Sequence, residues 1–269
     1  MPFEHLSLFF VIFPVIGILT GFLSGMLGIG GSVIVIPALY IIFERIGIPH
    51  SQLMHFSIGT AFSIMVFTSM TNAASHLKLK NVIPAVIKKM ILPVIIGVII
   101  GAWAIKYIDS EALSKVFAVF LVLISIDLFI QFSRFIKRTE NEGTFIFMIM
   151  GLIIGIISGI LGVGGGSIMI PFLIYMGFNP KSVIGTSAVL TLPIALCGTA
   201  VSIIHMTDIH TDIPMSAGFI YFPALIAVSI FCVISVPFGA KFLNRIPQDR
   251  ARQIFAVILL ITSIKMLIF

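Results

Sequence analysis

A glycine-rich motif occurs twice in this 269-residue chain. Gly21–Pro37 reads GFLSGMLGIGGSVIVIP, and Gly155–Pro171 reads GIISGILGVGGGSIMIP. The first copy carries Gly28, Gly30 and Gly31 followed by Ser32, the second Gly162, Gly164, Gly165 and Gly166 followed by Ser167. Glycine adopts left-handed backbone angles and has no side chain, so such runs end one helix and let another begin. The new helix starts near Ser32 or Ser167. Its free N–H groups and positive dipole end face whatever lies at the break, and the serine hydroxyls add donors without a buried charge. This is chemistry for holding a small anion rather than for breaking bonds. Neither copy continues to the Gly-Lys-Ser/Thr signature of a phosphate-binding loop. Gly21/Gly25 and Gly155/Gly159 have the Gly-x-x-x-Gly spacing of close helix packing and are read that way.

Other polar groups join the candidates. Thr60, Ser63, Thr68, Ser69 and Asn72 lie on one apolar run, and Thr186, Ser187, Thr191 and Thr199 on its counterpart. Serine and threonine inside helices commonly bond their own backbone. The repeated Gly-Thr at Gly59–Thr60 and Gly185–Thr186 singles out Thr60, Thr186 and the adjacent Ser187 as substrate-binding candidates. Asp127, in LVLISIDLFIQF, is an acid inside an apolar run; such acids are costly and mark functional paths, so it is the candidate for proton coupling. His76 and His205 close corresponding runs and are read as interfacial, while His50 and His55 flank a loop. No histidine has metal-ligand company, no metal or organic cofactor is expected, and no paired carboxylates or nucleophile–base set suggests an enzyme.

The elements that position these groups follow from composition. The chain is 59% hydrophobic and 10% charged, against roughly a quarter charged in soluble domains. Its apolar runs reach the about 20 residues of a membrane-spanning helix. The expected class is an all-α polytopic membrane protein. Net charge is +6, but the basic residues sit in short connections, where they set orientation rather than bind nucleic acid. Four apolar regions fall near 6–43, 53–75, 90–108 and 113–135, and four more near 145–176, 183–205, 217–243 and 252–269. A second match, VFAVFLVLISI at Val116–Ile126 with IFAVILLITSI at Ile254–Ile264, extends the repeat. The units are a first transmembrane repeat at 1–138, a cytoplasmic linker at 139–143 and a second repeat at 144–269.

Charge bias assigns sides. Connections bearing Lys78, Lys80, Lys88 and Lys89, then Arg134, Lys137 and Arg138, then Lys241, Arg245, Arg250 and Arg252 read cytoplasmic. Those bearing Asp208 and Asp212, or Asp109 and Glu111 balanced by Lys106 and Lys115, read external. Corresponding connections fall on opposite sides, so the repeat is inverted and both termini are external. Each glycine region must then go in and come back as a hairpin, either re-entrant or fully spanning. Each half has three spans plus one glycine-tipped hairpin, eight to ten helical segments in all. Two tips related by inversion can approach one midplane site.

The paired GxLSGxLGxGGG-like motifs, the proline that follows them, the Gly-Thr of the next segment and the length resemble the TauE/SafE family of sulfite exporter-like membrane permeases, over nearly the whole chain. The resemblance implies passage of sulfite, sulfoacetate and other organosulfonates across the cytoplasmic membrane, with Gly28–Ser32 and Gly162–Ser167 as tips and Thr60, Thr186 and Ser187 as neighbours. The first copy departs where Ser32 stands in place of Gly166, so the two halves need not contribute equally. The expected function is a secondary transporter, an exporter of small sulfur-containing anions working by alternating access. Its partners would be the anion, a coupling ion such as H+ and the lipid bilayer. An anion channel, or a subunit of a transport complex without intrinsic transport, is the alternative.

Overall fold

The computed structural model describes residues 11–28, 31–130, 143–204, 213–242 and 248–268. Gly30, His205 and most of the expected linker at 139–143 lie outside them. The described residues form ten α-helices: α1 Phe13–Leu27, α2 Ser32–Arg45, α3 Leu53–Lys78, α4 Pro84–Ala104, α5 Ser110–Ile130, α6 Thr144–Leu161, α7 Gly166–Tyr175, α8 Pro180–Ile204, α9 Phe222–Phe242 and α10 Gln248–Ile268. A short antiparallel hairpin, Ser216–Ala217 with Ile220–Tyr221, precedes α9. Six helices (α3, α4, α5, α6, α8 and α9) are long and apolar enough to cross a bilayer, as expected of a polytopic helical membrane protein.

Helix α4 begins six residues earlier than the apolar run alone suggests. Pro84 occupies its first turn, where the missing N–H costs nothing and the fixed φ is already helical. Lys88 and Lys89 are therefore helical. The Lys89 ammonium lies 5.0 Å from the centroid of the Phe147 ring, its stem lying along apolar surface as long cationic side chains do.

Helix α3 is the central element. Its apolar stretch is 83% buried inside the protein, against 39–44% for the other five long helices. Around it the main pairings are α1 with α9, α4 with α6, α3 with α8, α5 with α10, α3 with α9 and α4 with α8. Exchanging α1–α5 for α6–α10 leaves this set unchanged. Exposed Ile, Leu, Val and Phe side chains, among them Leu19, Leu92, Leu123, Ile230 and Phe238, cover the outside. A surface this apolar faces lipid.

Small residues set the two tightest pairings. Gly97 and Gly101 of α4 lie directly against Gly155 and Gly159 of α6. A Cβ on Gly155 would stand 2.9 Å from both the Gly97 Cα and the Val98 nitrogen. On the other side, Gly17 of α1 lies against Val228 and Cys232 of α9, and Gly25 against Val236 and Ala240. The rising numbers on both partners show that α1 and α9 run in the same direction. In lipid, with no hydrophobic force between helices, such close backbone approach supplies the association energy.

The repeated Gly-Thr pairs perform a different task. Each docks the connector that leads into the helix of the other half. Gly59 lies against the Phe219 backbone, and a Cβ there would be 2.7 Å from its carbonyl oxygen. The Thr60 hydroxyl donates to that oxygen at 3.3 Å and accepts the Tyr221 N–H at 3.1 Å. Gly185 in turn touches the Asn81 carbonyl. The Thr186 hydroxyl accepts the Ile83 N–H at 2.9 Å and donates to Ser182 O at 2.7 Å.

Two stability outcomes follow. Gly155→Val forces α4 and α6 apart, and overpacking of this kind costs roughly 1–3 kcal/mol; a lower midpoint of thermal unfolding in detergent is expected. Thr186→Val keeps the side-chain shape but strands the part-buried Ile83 N–H, at up to about 1–3 kcal/mol. The same assay should show a drop for Thr186→Val and no comparable drop for the exposed Thr71→Val.

Candidate functional site

Each glycine break is built in the same order. Helix α1 closes with the Gly28 N–H on Ser24 O at 2.9 Å and Gly28 at φ 66°. Helix α6 closes with the Gly162 N–H on Ser158 O and Gly162 at φ 70°. A side chain in this left-handed region is strained. The chain then folds back along the helix it has just left. Gly31 rests against Thr20, two turns before the end of α1. Gly165 rests between Ile154 and Ile194, where a Cβ would come within 3.1 and 2.8 Å of their side chains.

This return strand sets the depth at which the next helix begins. Thr20 neighbours Gly21, which abuts Cys232 in the middle of α9. Ile154 neighbours Gly155, which abuts Val94 in the middle of α4. Helices α2 and α7 therefore start at mid-length of the long helices beside them. The turns at Gly28 and Gly162 lie farther out, toward opposite ends of the bundle: Gly28 near the end that carries Lys78 and Lys241, Gly162 beside Ile58, near the start of α3.

Neither new helix has a side-chain cap. Gly31 O accepts from Ile34 and Val35, and Gly165 O from Ile168 and Met169. The hydroxyls of Ser32 and Ser167 are buried, 2% and 5% exposed, and have no hydrogen-bond partner. Those of Thr20 and Ser158, one level back along α1 and α6, are buried without a partner as well. Both breaks thus combine first-turn N–H groups at mid-length with buried, unsatisfied hydroxyls.

One helix connects the two breaks. The Ser187 hydroxyl of α8 donates to Gly28 O at 3.0 Å. One turn on, the Thr191 hydroxyl donates to Gly164 O at 2.6 Å and to Ser187 O at 2.8 Å. The structure therefore brings Gly28, Gly164 and Ser187 together along one turn of α8, with Thr191 between them. Helix α3 packs Ile58 on Gly162 of the second break and hydrogen-bonds the first, where the Asn72 amide donates to Ser24 O at 3.2 Å. In the second half the position matching Asn72 is Gly198, against which the Phe62 ring packs.

The remaining candidates fall elsewhere. Thr60 and Thr186 are fully buried, and their hydroxyls are occupied by the connectors Phe219–Tyr221 and Ile83. Asp127 is half-buried one turn before the end of α5 and has an interaction partner. His76 is fully buried within the protein, with Nε2 3.3 Å from Gly25 O. His55 is buried too, with Nε2 3.3 Å from Ile105 O. Among the described residues no three His, Cys, Asp or Glu side chains gather as a metal site.

Ser24, Ser158, Thr20 and Thr191 belong to this site as much as the glycines do. The two serines had a signal in the sequence, since Ser-Gly recurs at the same place in both motif copies. Thr20 had none, its counterpart being Ile154, and Thr191 stood among the polar groups of its run without support from the repeat, its counterpart being Met65.

The chain was compared with known proteins. The sequence model of the family described as Sulfite exporter TauE/SafE matches residues 13–266. A probable membrane transporter protein of Haemophilus influenzae is 28% identical over 258 residues, covering 96% of this chain and 98% of that protein. One from Methanocaldococcus jannaschii is 27% identical over 271 residues, covering 100% and 98%. A third, YunE of Bacillus subtilis, is 24% identical over 222 residues, covering 76% and 80%. No solved structure matches the chain. With its paired glycine breaks, its apolar helices and a family match over nearly its whole length, the chain is a membrane transporter of the TauE/SafE family.

Proposed function

We propose that the protein is a secondary exporter of small sulfur-containing anions such as sulfite or organosulfonates, with the starts of α2 and α7 as its binding groups. The observation that carries this reading is the pair of uncapped helix starts at mid-length, each with a buried serine hydroxyl that has no partner. First-turn N–H groups and the dipole's positive end favour negative charge, and non-helical backbone at membrane depth is tolerated where it lines a protein-enclosed cavity. Gly28, Gly30, Gly31 and Ser32 form one side of the proposed site, and Gly162, Gly164, Gly165, Gly166 and Ser167 the other. Ser187 sets their spacing, while Thr60 and Thr186 support it by fixing the connectors.

The proposed cycle is alternating access by two inverted halves. Its support is the exchange symmetry of the helix pairings and the charge at the two ends. Lys78 and Lys241 line one cavity between α3 and α9, while Asp109 and Glu111 line another with His50. By the positive-inside bias the lysine end is cytoplasmic. Because every half contributes an odd number of crossings, whether its hairpin spans or re-enters, the termini lie outside.

Single cysteines at Lys241 and Glu111, in a background lacking Cys197 and Cys232, test the orientation. A membrane-impermeant maleimide should label the Glu111 position in intact cells and the Lys241 position only after lysis; the reverse pattern would invert the assignment. For the site, purified protein is reconstituted in vesicles and flux of sulfite, sulfate, sulfoacetate and taurine is measured. A hydrogen bond to a charged group contributes about 1.5–3 kcal/mol, so Ser32→Ala and Ser167→Ala, each made singly, should raise the half-saturating sulfite concentration roughly 10- to 100-fold. Unchanged saturation would remove the helix starts from the binding site, and ohmic, non-saturating current would make the protein a channel.

A further inference from the structure

Behind the first glycine break lies a polar cluster that the second break lacks. Thr20, Ser24, Asn72 and His76 are 0%, 4%, 3% and 0% exposed. His76 Nε2 faces Gly25 O at 3.3 Å. A carbonyl only accepts, so Nε2 carries the proton and Nδ1 of the neutral ring is an acceptor. That Nδ1 has no partner, and neither does Asn72 Oδ1, also an acceptor. Asn72 and His76 are four residues apart on α3, hence on one face. On α3 the cluster thus holds two buried acceptors without a partner, and across from them on α1 the Thr20 hydroxyl is without one as well.

One added proton resolves this. Protonated Nδ1 becomes a donor, and the unsatisfied acceptor one turn away on the same face is Asn72 Oδ1. The imidazolium would then bond Gly25 O through Nε2–H and Asn72 through Nδ1–H. Gly25 O belongs to the last turn of α1, whose C-terminal carbonyls carry the negative end of the helix dipole and favour a cation. The repeat positions of Asn72 and His76 in α8 are Gly198 and Ser202, so the arrangement occurs once.

We infer that His76 is the proton-binding site of the transport cycle, taking up one proton from water at the lysine end when an anion occupies the first glycine break. This rests on the anion-transport reading above. The proton adds to the Nδ1 lone pair and is released from it on the other side of the cycle; no other bond changes. A positive charge beside α1's end compensates an anion at the start of α2, so that occupancy of each favours the other.

The titratable surroundings are sparse. Among the helices packed on α3, α1 has no titratable side chain in Phe13–Leu27. Helix α9 offers Cys232 and Lys241, and α8 offers Lys181 and Cys197. At the far end of α3 stand His55, Tyr40, Glu44 and Arg45 of α2, Tyr221, and Glu111 and Lys115 of α5. At the near end are Lys78 and, on α5, Asp127.

The test uses His76→Gln, whose amide can keep the bond to Gly25 O but cannot titrate, with Ser75→Ala on the same turn as control. Sulfite is the probe, in reconstituted vesicles with and without an imposed pH gradient. Wild type and Ser75→Ala should be accelerated roughly tenfold by the gradient, a coupling of the usual allosteric size, while His76→Gln carries sulfite downhill without responding. A gradient response that persists in His76→Gln overturns the inference and leaves the transport reading standing. Failure of every form to move any anion overturns the transport reading, and the ring then decides the rest. Nitrogen-15 spectra of histidine-labelled protein, with His76→Gln for assignment, should show the His76 ring passing from Nε2–H to doubly protonated as pH falls. A His76 signal fixed in one form across the accessible pH range overturns the proton site.

Discussion

Backbone polar groups at membrane depth must be satisfied within the protein or face an enclosed cavity, and the two glycine breaks are where this chain confronts that demand. Each break exposes the closing carbonyls of one helix and the opening N–H groups of the next. The carbonyls are dealt with by neighbours: Ser187 on Gly28 O, Thr191 on Gly164 O and Asn72 on Ser24 O. The opening N–H groups of α2 and α7 have no side-chain cap. The asymmetry between satisfied acceptors and uncapped donors is what the proposed anion site rests on.

The return strand explains why several glycines are needed where one would end a helix. Gly28 and Gly162 make the turn, but Gly31 and Gly165 then lie against the helix the chain came from, at Thr20 in one half and Ile154 in the other. It thereby carries the start of the next helix back to mid-length. A single glycine would leave that start beside the turn, near one face of the bundle. The consecutive glycines are a depth-setting device.

Much of the architecture was legible in the sequence because it is written in composition and repetition. Apolar run lengths located the helices, and the motif copies located both breaks. The Gly-x-x-x-Gly pairs Gly21/Gly25 and Gly155/Gly159 packed as their spacing implied, because small residues at that spacing share a helix face. The Gly-Thr pairs stood out for the same reason, yet spacing carries no information about which partner a hydroxyl meets, and theirs are the connectors. His76 is buried with its ring on the Gly25 carbonyl of α1, a partner that its place at the end of an apolar run does not reveal. Asn72, Thr20 and Thr191 left no trace in the repeat, since each differs from its counterpart and the halves have diverged where they meet the breaks.

The cross-docking of the connectors bears on how such a chain is made. Thr60 holds a connector of the second half and Thr186 one of the first, and α1 packs on α9 as α6 does on α4. The principal partners of each half are supplied by the other. During synthesis the leading half must wait in the lipid with its glycine faces uncovered until the trailing half is inserted.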